Sequence, residues 1–266
     1  MDVLINQLKM SGLGCHIANV YIGCIAYADD LILLSASLSH LQRMLNICIE
    51  IGTKLDIMFN ANKSFLFKIG KVWNEKLVCL RLGGQTIQWT DNLKYLGIHF
   101  VSSKVLKFDV SDKIRKFYAA ANAIHYHSKH VGEIVRLCLF ESYTLPVLTY
   151  ACEALQLSRV QMNDLNICWN NIYRKIFGLH RWESVKYIQL SCGRLDCIRL
   201  MHKRTLKFYC DVLASSNMVV YQCARLLTYN KYFLRLCKEY NVSISGGLGV
   251  TNVFLRFLRF KEMCNV

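Results

Sequence analysis

The chain is poor in proline, in charge and in long apolar runs. Pro146 is the only proline among 266 residues, and charged residues make up 19%. A hydrophobic content of 53% is too high for an intrinsically disordered chain. No uncharged apolar run reaches the roughly 18 to 20 residues of a membrane span, and Asp2 does not fit the basic start of a signal peptide. We therefore expect a soluble protein of one or two domains, with no membrane partner, that is intracellular (nuclear or cytoplasmic) and not secreted.

The cysteines lack the spacing of a disulfide scaffold or a zinc site. The chain has 13 of them, an odd number, and no Cys-x-x-Cys pair. Without a secretion signal, scattered cysteines are typical of reduced thiols in a hydrophobic core. We expect that role for them here.

Acidic residues are scarce in the second part of the chain. The net charge is +15, but residues 1–100 contain nine basic and seven acidic residues, a net of +2. Residues 101–266 contain 24 basic and 11 acidic residues, a net of +13. A strongly basic region favours a polyanionic partner such as nucleic acid.

Two adjacent carboxylates, Asp29 and Asp30, lie between two apolar segments. The pattern predicts a β-hairpin over residues 18–27 and 31–35 with both acidic residues at its tip. Adjacent carboxylates repel each other unless a cation neutralises them, and carboxylate oxygens suit Mg²⁺ or Mn²⁺. The hairpin is therefore either a metal-dependent phosphoryl or nucleotidyl transfer site or a surface turn, in which aspartate is common.

Three further motifs follow the tetrapeptide Tyr27-Ala28-Asp29-Asp30. They are the apolar Leu-Ile-Leu-Leu-Ser-Ala-Ser segment from Leu31, an Asn-Ala-Asn-Lys-Ser segment from Asn60, and Tyr-Leu-Gly at Tyr95. In this order and at these spacings they resemble the reverse transcriptases of non-LTR (LINE-type) retrotransposons. The resemblance is strong over residues 1–100 and looser over residues 112–217.

The resemblance implies a role for each motif. Asp29 becomes the main catalytic metal ligand and Asp30 a second one, with Mg²⁺ (or Mn²⁺) as the cofactor. Lys63 becomes a general acid or a cation that steers the triphosphate, although a solvated turn lysine is an equal alternative. The stretch Tyr95, Leu96 and Gly97 becomes a primer-grip hairpin. The implied partners are an RNA template, a DNA primer and deoxynucleotide triphosphates.

The chain departs from the family's pattern upstream of the hairpin. The family's polymerases need a further metal-binding aspartate on an earlier strand and a fingers domain, whereas Asp2 is the only acidic residue before Tyr27. We therefore expect an N-terminally truncated RNA-directed DNA polymerase fragment that polymerises poorly or not at all by itself. A non-catalytic nucleic-acid-binding remnant is the alternative.

The periodicity predicts an α+β fold, which the resemblance makes a partial polymerase palm followed by an all-helical thumb and C-terminal region. We expect the palm over residues 1–103, the thumb-like region over 104–158 and a basic helical region over 159–266. Apolar spacing predicts helices over residues 1–10, 38–52, 111–124, 133–143, 163–178 and 193–213. Short β-like segments further predict strands over residues 55–59, 65–69, 78–82, 86–89 and 95–101.

The last predicted helix carries a row of basic residues. Arg199, Lys203 and Lys207 recur every four residues, and Arg204 lies beside them. Such a row fits a phosphate backbone, or it is simply a solvated helix face. Near the end of the chain, residues 254–260 have a phenylalanine at every third position, which favours a terminal helix packed on the core.

Overall fold

Residues 1–227 and 231–242 are described in a computed structural model of the chain. They divide into two units, one formed by Met1–Lys107 with Ser216–Cys223 and the other by Phe108–Ser215 with the described residues from Ala224 onwards. The first unit contains nearly all the strands and the second is helical, which confirms the predicted α+β fold. The helix predicted over residues 254–260 lies outside the described residues.

The first unit begins with a helix and two β-hairpins. These elements are α1 (Asp2–Met10), β1 (His16–Ile17), β2 (Val20–Tyr21), β3 (Cys24–Tyr27) and β4 (Asp30–Leu33). Instead of the single strand predicted over residues 18–27, there are two strands separated at Gly23. A side chain has no room at this break, because a Cβ on Gly23 would lie 2.6 Å from the ring of Tyr21.

The helix predicted over residues 38–52 is present as α2 (Leu38–Lys54). It begins where the Ser37 hydroxyl accepts a hydrogen bond from the backbone N–H of His40 at 3.5 Å, as an N-cap residue does. One face of α2 packs against α1 and the hairpins. The buried residues of this core are Leu4, Leu8, Leu13, Tyr21, Met44, Cys48 and Ile51.

The strand predicted over residues 55–59 is wrong, because the chain reverses at the end of α2. Asp56 adopts a left-handed conformation with a φ of +56°. The backbone N–H of Ile57 then donates a 2.8 Å hydrogen bond to the carbonyl of Gly52. This six-residue closure is the Schellman ending of a helix, and it prevents the following residues from extending as a strand.

A short 3₁₀ helix and seven short strands follow along the chain, and the last strand begins at Lys107, where the first segment of the first unit ends. These are the 3₁₀ helix Ala61–Lys63, then β5 (Phe65–Phe67), β6 (Arg81–Leu82), β7 (Gln85–Thr86), β8 (Gln88–Thr90), β9 (Asn92–Tyr95), β10 (Ile98–Val101) and β11 (Lys107–Asp109). β6 and β7 pair antiparallel, as do β9 and β10, whereas β5 and β8 pair parallel. The strands therefore form several small sheets rather than one.

The second unit is built from helices. They are α3 (Ser111–His127), α4 (Glu133–Tyr143), α5 (Leu145–Thr149), α6 (Arg159–Phe177), α7 (Lys186–Ser191), α8 (Cys197–Leu213) and α10 (Lys231–Glu239). A further helix, α9 (Met218–Leu227), has residues assigned to both units. Pro146 lies in the first turn of α5, where a proline is tolerated, so the chain changes helix there.

α6 starts four residues earlier than predicted because of its cap. The Ser158 hydroxyl accepts from the backbone N–H of Gln161 at 3.2 Å, and the Gln161 side chain accepts from the backbone N–H of Ser158 at 3.0 Å. This reciprocal capping box satisfies two helix-end donors. At the other end, Gly178 has a φ of +66° and terminates the helix, as the sequence predicted.

One continuous core holds α3, α4, α5, α6 and α8 together. Its buried residues are Phe117, Ala121, Leu137, Phe140, Leu148, Cys152, Leu165, Cys168, Trp169, Ile172, Tyr173, Ile176, Val185, Cys197 and Met201. A second cluster joins α8 to α10 through Leu206, Tyr209, Phe233, Leu236, Cys237 and Tyr240. In the described part of the chain, none of the helices is both long and apolar enough to cross a membrane.

Candidate active site

The acidic tetrapeptide forms the end of the β3–β4 hairpin. Tyr27 pairs with Asp30 across the two strands, so Ala28 and Asp29 are the two residues of the turn. Ala28 has a φ of +51°, a positive value of the kind that tight hairpin turns require. All four residues are exposed. Asp29 therefore lies at the tip, and Asp30 is the first residue of β4.

The hairpin is anchored at its base. Cys24, Leu31 and Leu33 pack against the core formed by α1 and α2. The backbone N–H of Leu34 donates to the carbonyl of Gly23 at 2.8 Å, and the carbonyl of Leu34 accepts from the N–H of Cys15 at 3.0 Å. The packed and hydrogen-bonded base therefore fixes the position of the two exposed carboxylates at the tip.

The Tyr-Leu-Gly motif forms a second tight hairpin, between β9 and β10. Tyr95 pairs with Ile98, and the two turn residues are Leu96 and Gly97. Their φ angles are +46° and +76°, the left-handed pair that a type I′ turn uses. Gly97 accommodates this conformation without strain, whereas Leu96 adopts it at a cost. The motif thus encodes the turn itself.

The electrostatics place Tyr95 close to the acidic hairpin. Burial raises the pKa of the Tyr95 phenol above its usual value, and the negative charge of Asp30 raises this pKa further, followed by a smaller effect of Tyr27. The charge of Asp30 acts on Tyr95 only because the two side chains are near each other. The two hairpins are therefore near enough for the charge of Asp30 to act on the Tyr95 phenol.

Lys63 ends the 3₁₀ helix Ala61–Lys63, and its side chain is exposed. The Asn60 side chain caps this helix by accepting from the N–H of Asn62 at 2.9 Å, and the hydroxyl of Ser64 donates to the Asn60 carbonyl at 2.8 Å. The asparagine and serine of the motif therefore shape the turn that presents Lys63. In the part of the chain that the structure describes, no hydrogen bond joins Lys63 to Asp29 or Asp30.

The donor set fits a magnesium ion that is shared with a substrate. Mg²⁺ commonly binds through one or two carboxylates together with substrate phosphates, and Asp29 and Asp30 offer two exposed carboxylates. Within residues 1–227 and 231–242, no group of three His, Cys, Asp or Glu side chains lies close enough to hold a metal. The two carboxylates would thus supply only part of a coordination shell.

Comparison with known proteins identifies the segment that contains these hairpins. Residues 1–100 match the family model of reverse transcriptases (RNA-dependent DNA polymerases). No curated protein matches the chain. The reverse-transcriptase match covers both hairpins and Lys63. It confirms the resemblance to reverse transcriptases over residues 1–100.

The basic residues of α8 lie outside the reverse-transcriptase match and fall into two groups. Arg199, Lys203 and Lys207 share one side of the helix, and Arg199 forms a 2.5 Å ion pair with Asp196. Arg204 is instead directed towards another part of the helical core, where it donates to the Thr149 hydroxyl at 2.5 Å. We therefore limit the cationic row to Arg199, Lys203 and Lys207.

Sequence reasoning missed an exposed aromatic pair in the turn between α6 and α7. The rings of His180 and Trp182 are stacked, with centroids 4.7 Å apart. A signal was available, because a tryptophan four residues after the helix-stop Gly178, with basic neighbours, does not fit a buried segment. Like the basic row of α8, this pair lies outside the segment that matches reverse transcriptases.

Proposed function

We propose that the chain is a reverse-transcriptase-like polymerase fragment of the non-LTR (LINE) retrotransposon type, acting on an RNA template and a DNA primer. The main support is that the acidic Asp29–Asp30 hairpin and the Tyr95 hairpin, whose phenol is affected by the charge of Asp30, both lie inside the segment that matches reverse transcriptases. Carboxylates that can hold a divalent ion are one part of what nucleotidyl transfer requires.

Each residue has a task in this proposal. Asp29 and Asp30 would hold Mg²⁺ jointly with the phosphates of a deoxynucleotide triphosphate. When bound, the ion would neutralise charge on the α-phosphate that the primer hydroxyl attacks. The turn at Tyr95, Leu96 and Gly97 positions the primer end. Lys63 steers the triphosphate or protonates the pyrophosphate that leaves.

The chain by itself is proposed to polymerise poorly. Two exposed carboxylates bind a divalent ion weakly, because water screens both charges. No third His, Cys, Asp or Glu completes the shell within the described residues. Incomplete charge stabilisation and positioning both lower the rate of transfer.

The test is metal binding at the hairpin. Mn²⁺ binding, followed by water proton relaxation with template–primer and a non-hydrolysable nucleotide present, should weaken about tenfold in Asp29→Asn. Removing one charge beside a divalent ion at an exposed site costs on the order of 1–2 kcal/mol. Asp30→Asn should weaken binding in the same direction.

Asp56→Asn is the matched control, since Asp56 is an exposed acidic residue of the same unit. It should bind Mn²⁺ like the unsubstituted chain. Equal Mn²⁺ binding by all three variants would refute the proposed metal site.

RNA-templated primer extension by the chain is expected to lie near background. Robust extension that is lost in Asp29→Asn would contradict only the proposed low activity.

A second candidate function is nucleic-acid binding without catalysis by the helical unit. The observation that favours it is the net charge of +13 over residues 101–266, from 24 basic and 11 acidic residues. The row of Arg199, Lys203 and Lys207 on α8 gives this charge a linear arrangement that suits successive phosphates.

Replacing all three residues of this row by glutamine should weaken binding to single-stranded oligonucleotides and make it less sensitive to salt. Because the variant can no longer neutralise three phosphates, the slope of log affinity against log salt should become shallower by about 2. The control replaces Lys71, Lys76 and Lys104, three exposed lysines of the first unit, and removes the same charge. Identical slopes for both triple variants would exclude a specific role for α8.

A further inference from the structure

The turn between α6 and α7 displays an aromatic surface to solvent. The imidazole of His180 and the indole of Trp182 are nearly parallel, at 3° and 4.7 Å between centroids. Trp182 is nevertheless 81% exposed. Since the indole keeps this much exposure, the imidazole covers only part of one of its faces. The stacked pair therefore offers a flat aromatic surface to a ligand.

Hydrogen bonds hold the turn in one shape. The backbone N–H of Glu183 donates to the carbonyl of His180 at 3.1 Å, and the Glu183 carboxylate accepts from the backbone N–H of His180. From α6, the guanidinium of Arg174 donates twice to the Glu183 carbonyl, both at 3.2 Å. The aromatic pair is therefore presented in a fixed orientation rather than carried on a loose loop.

The two sides of the turn are attached to the helical core. Leu179 packs against this core directly after Gly178 ends α6. Val185, just before α7, is 4% exposed and belongs to the same core. Because the flanking residues are buried, the exposed indole does not reflect local unfolding. Binding to it would cost little conformational entropy.

The charge around the turn selects the class of ligand. Residues 174–187 contain four lysines and arginines and one acidic residue, Glu183. Its carboxylate is engaged within the turn. Arg181, between the two stacked residues, is exposed. A flat aromatic face surrounded by positive charge matches a nucleobase that is attached to a phosphate backbone.

We propose that the His180–Trp182 pair is a stacking platform for an unpaired base of single-stranded RNA or DNA, with Arg181 contacting the adjacent phosphate. This inference rests on the proposal that the helical unit binds nucleic acid. It adds a base-dependent contact to the phosphate contacts of α8. Binding to the platform should not depend on the nucleic-acid sequence, since every base offers a π face.

The test compares two labelled single-stranded oligonucleotides of equal length and charge, one of thymidines and one of abasic spacers. Binding to the full chain is followed by fluorescence anisotropy. Trp182→Ala should weaken binding to the thymidine strand about tenfold, within the range of base–aromatic stacking, and leave binding to the abasic strand unchanged. Trp182→Phe should retain most of the affinity, because phenylalanine keeps a π face.

The outcomes separate the platform from the general charge of the unit. Replacing Arg199, Lys203 and Lys207 should weaken binding to both strands, so that failure of the α8 row and failure of the platform are distinguishable. If Trp182→Ala binds the thymidine strand as tightly as the unsubstituted chain, the platform is refuted. Equal losses on both strands would also overturn it, since no base would then be involved.

Discussion

Replacing Trp169 by alanine should lower the free energy of unfolding of the helical unit by about 3–5 kcal/mol, the range for Trp→Ala in protein cores. Trp169 is only 1% exposed and lies among residues of α3, α4, α5 and α8. Its ring meets that of Tyr173 edge to face, with centroids 5.7 Å apart. The substitution removes buried apolar surface, leaves a cavity and ends this aromatic contact.

The measurement is urea unfolding followed by far-ultraviolet circular dichroism, which reports the helices. Domains commonly have about 5–15 kcal/mol of stability in total, so a loss near the upper end would leave the helical unit partly unfolded. Trp182→Ala is the matched control, because it removes the same atoms from an exposed site and should change stability by about 0.5 kcal/mol or less. A Trp169→Ala midpoint close to that of the control would mean that the core repacks around the gap.

The helices of the second unit could be predicted because their signals are local. α4 begins and ends at the predicted residues, and α6 ends at the predicted Gly178. The start of α6 was placed four residues too late, since apolar spacing does not reveal a capping box. Likewise, α8 starts at Cys197, behind the Asp196 cap, rather than at residue 193. Caps depend on backbone geometry that periodicity alone does not contain.

The strands of the first unit were harder to predict because their pairing is not local. β5 pairs in parallel with β8, with Phe65 opposite Gln88, after an intervening chain that contains β6 and β7. Nothing in either short segment specifies this partner. The strand predicted over residues 55–59 is wrong for a different reason. Ile57 takes part in the Schellman ending of α2, and Phe59 packs against the core.

The candidate site shows the same division between local and distant information. The residue pattern predicted the Asp29–Asp30 hairpin, because its turn residues and flanking strands are contiguous. The single strand that the pattern predicted over residues 95–101 is wrong, since the chain turns at Leu96 and Gly97, and the hairpin there was implied only by the resemblance. The proximity of Tyr95 to Asp30 came from the structure, since the two residues lie far apart along the chain. Helical spacing also did not reveal that Arg204 is directed towards Thr149, away from the basic row.

Replacing Gly52 by alanine should destabilise the first unit by about 1–2 kcal/mol, although alanine is the better helix former. Gly52 lies in α2 and is buried. Helix propensity alone favours the substitution by about 1 kcal/mol. Against this, the new Cβ would lie 2.6 Å from the backbone carbonyl oxygen of Ile57 and 3.0 Å from the ring of Phe59. Forcing an atom into a packed site typically costs about 1–3 kcal/mol, and a backbone carbonyl yields less than a side chain.

The clash should also spread to the candidate site. The chain passes over Gly52 because the Ile57 N–H donates to the Gly52 carbonyl at 2.8 Å, which brings the Ile57 carbonyl and the Phe59 ring close. Phe59 precedes Asn60, the cap of the turn that presents Lys63. Displacing Phe59 should therefore speed amide hydrogen exchange over residues 60–64 as well as lower the unfolding midpoint.

Thr53→Ala is the control for this prediction, because it changes the neighbouring exposed position of the same helix without adding atoms near Ile57. It removes only the hydroxyl that donates to the Ile49 carbonyl at 2.9 Å, and it should leave stability within about 0.5 kcal/mol. If Gly52→Ala proves as stable as Thr53→Ala, the chain reversal must move away from α2 without cost. The Schellman ending would then not be what positions the Lys63 turn.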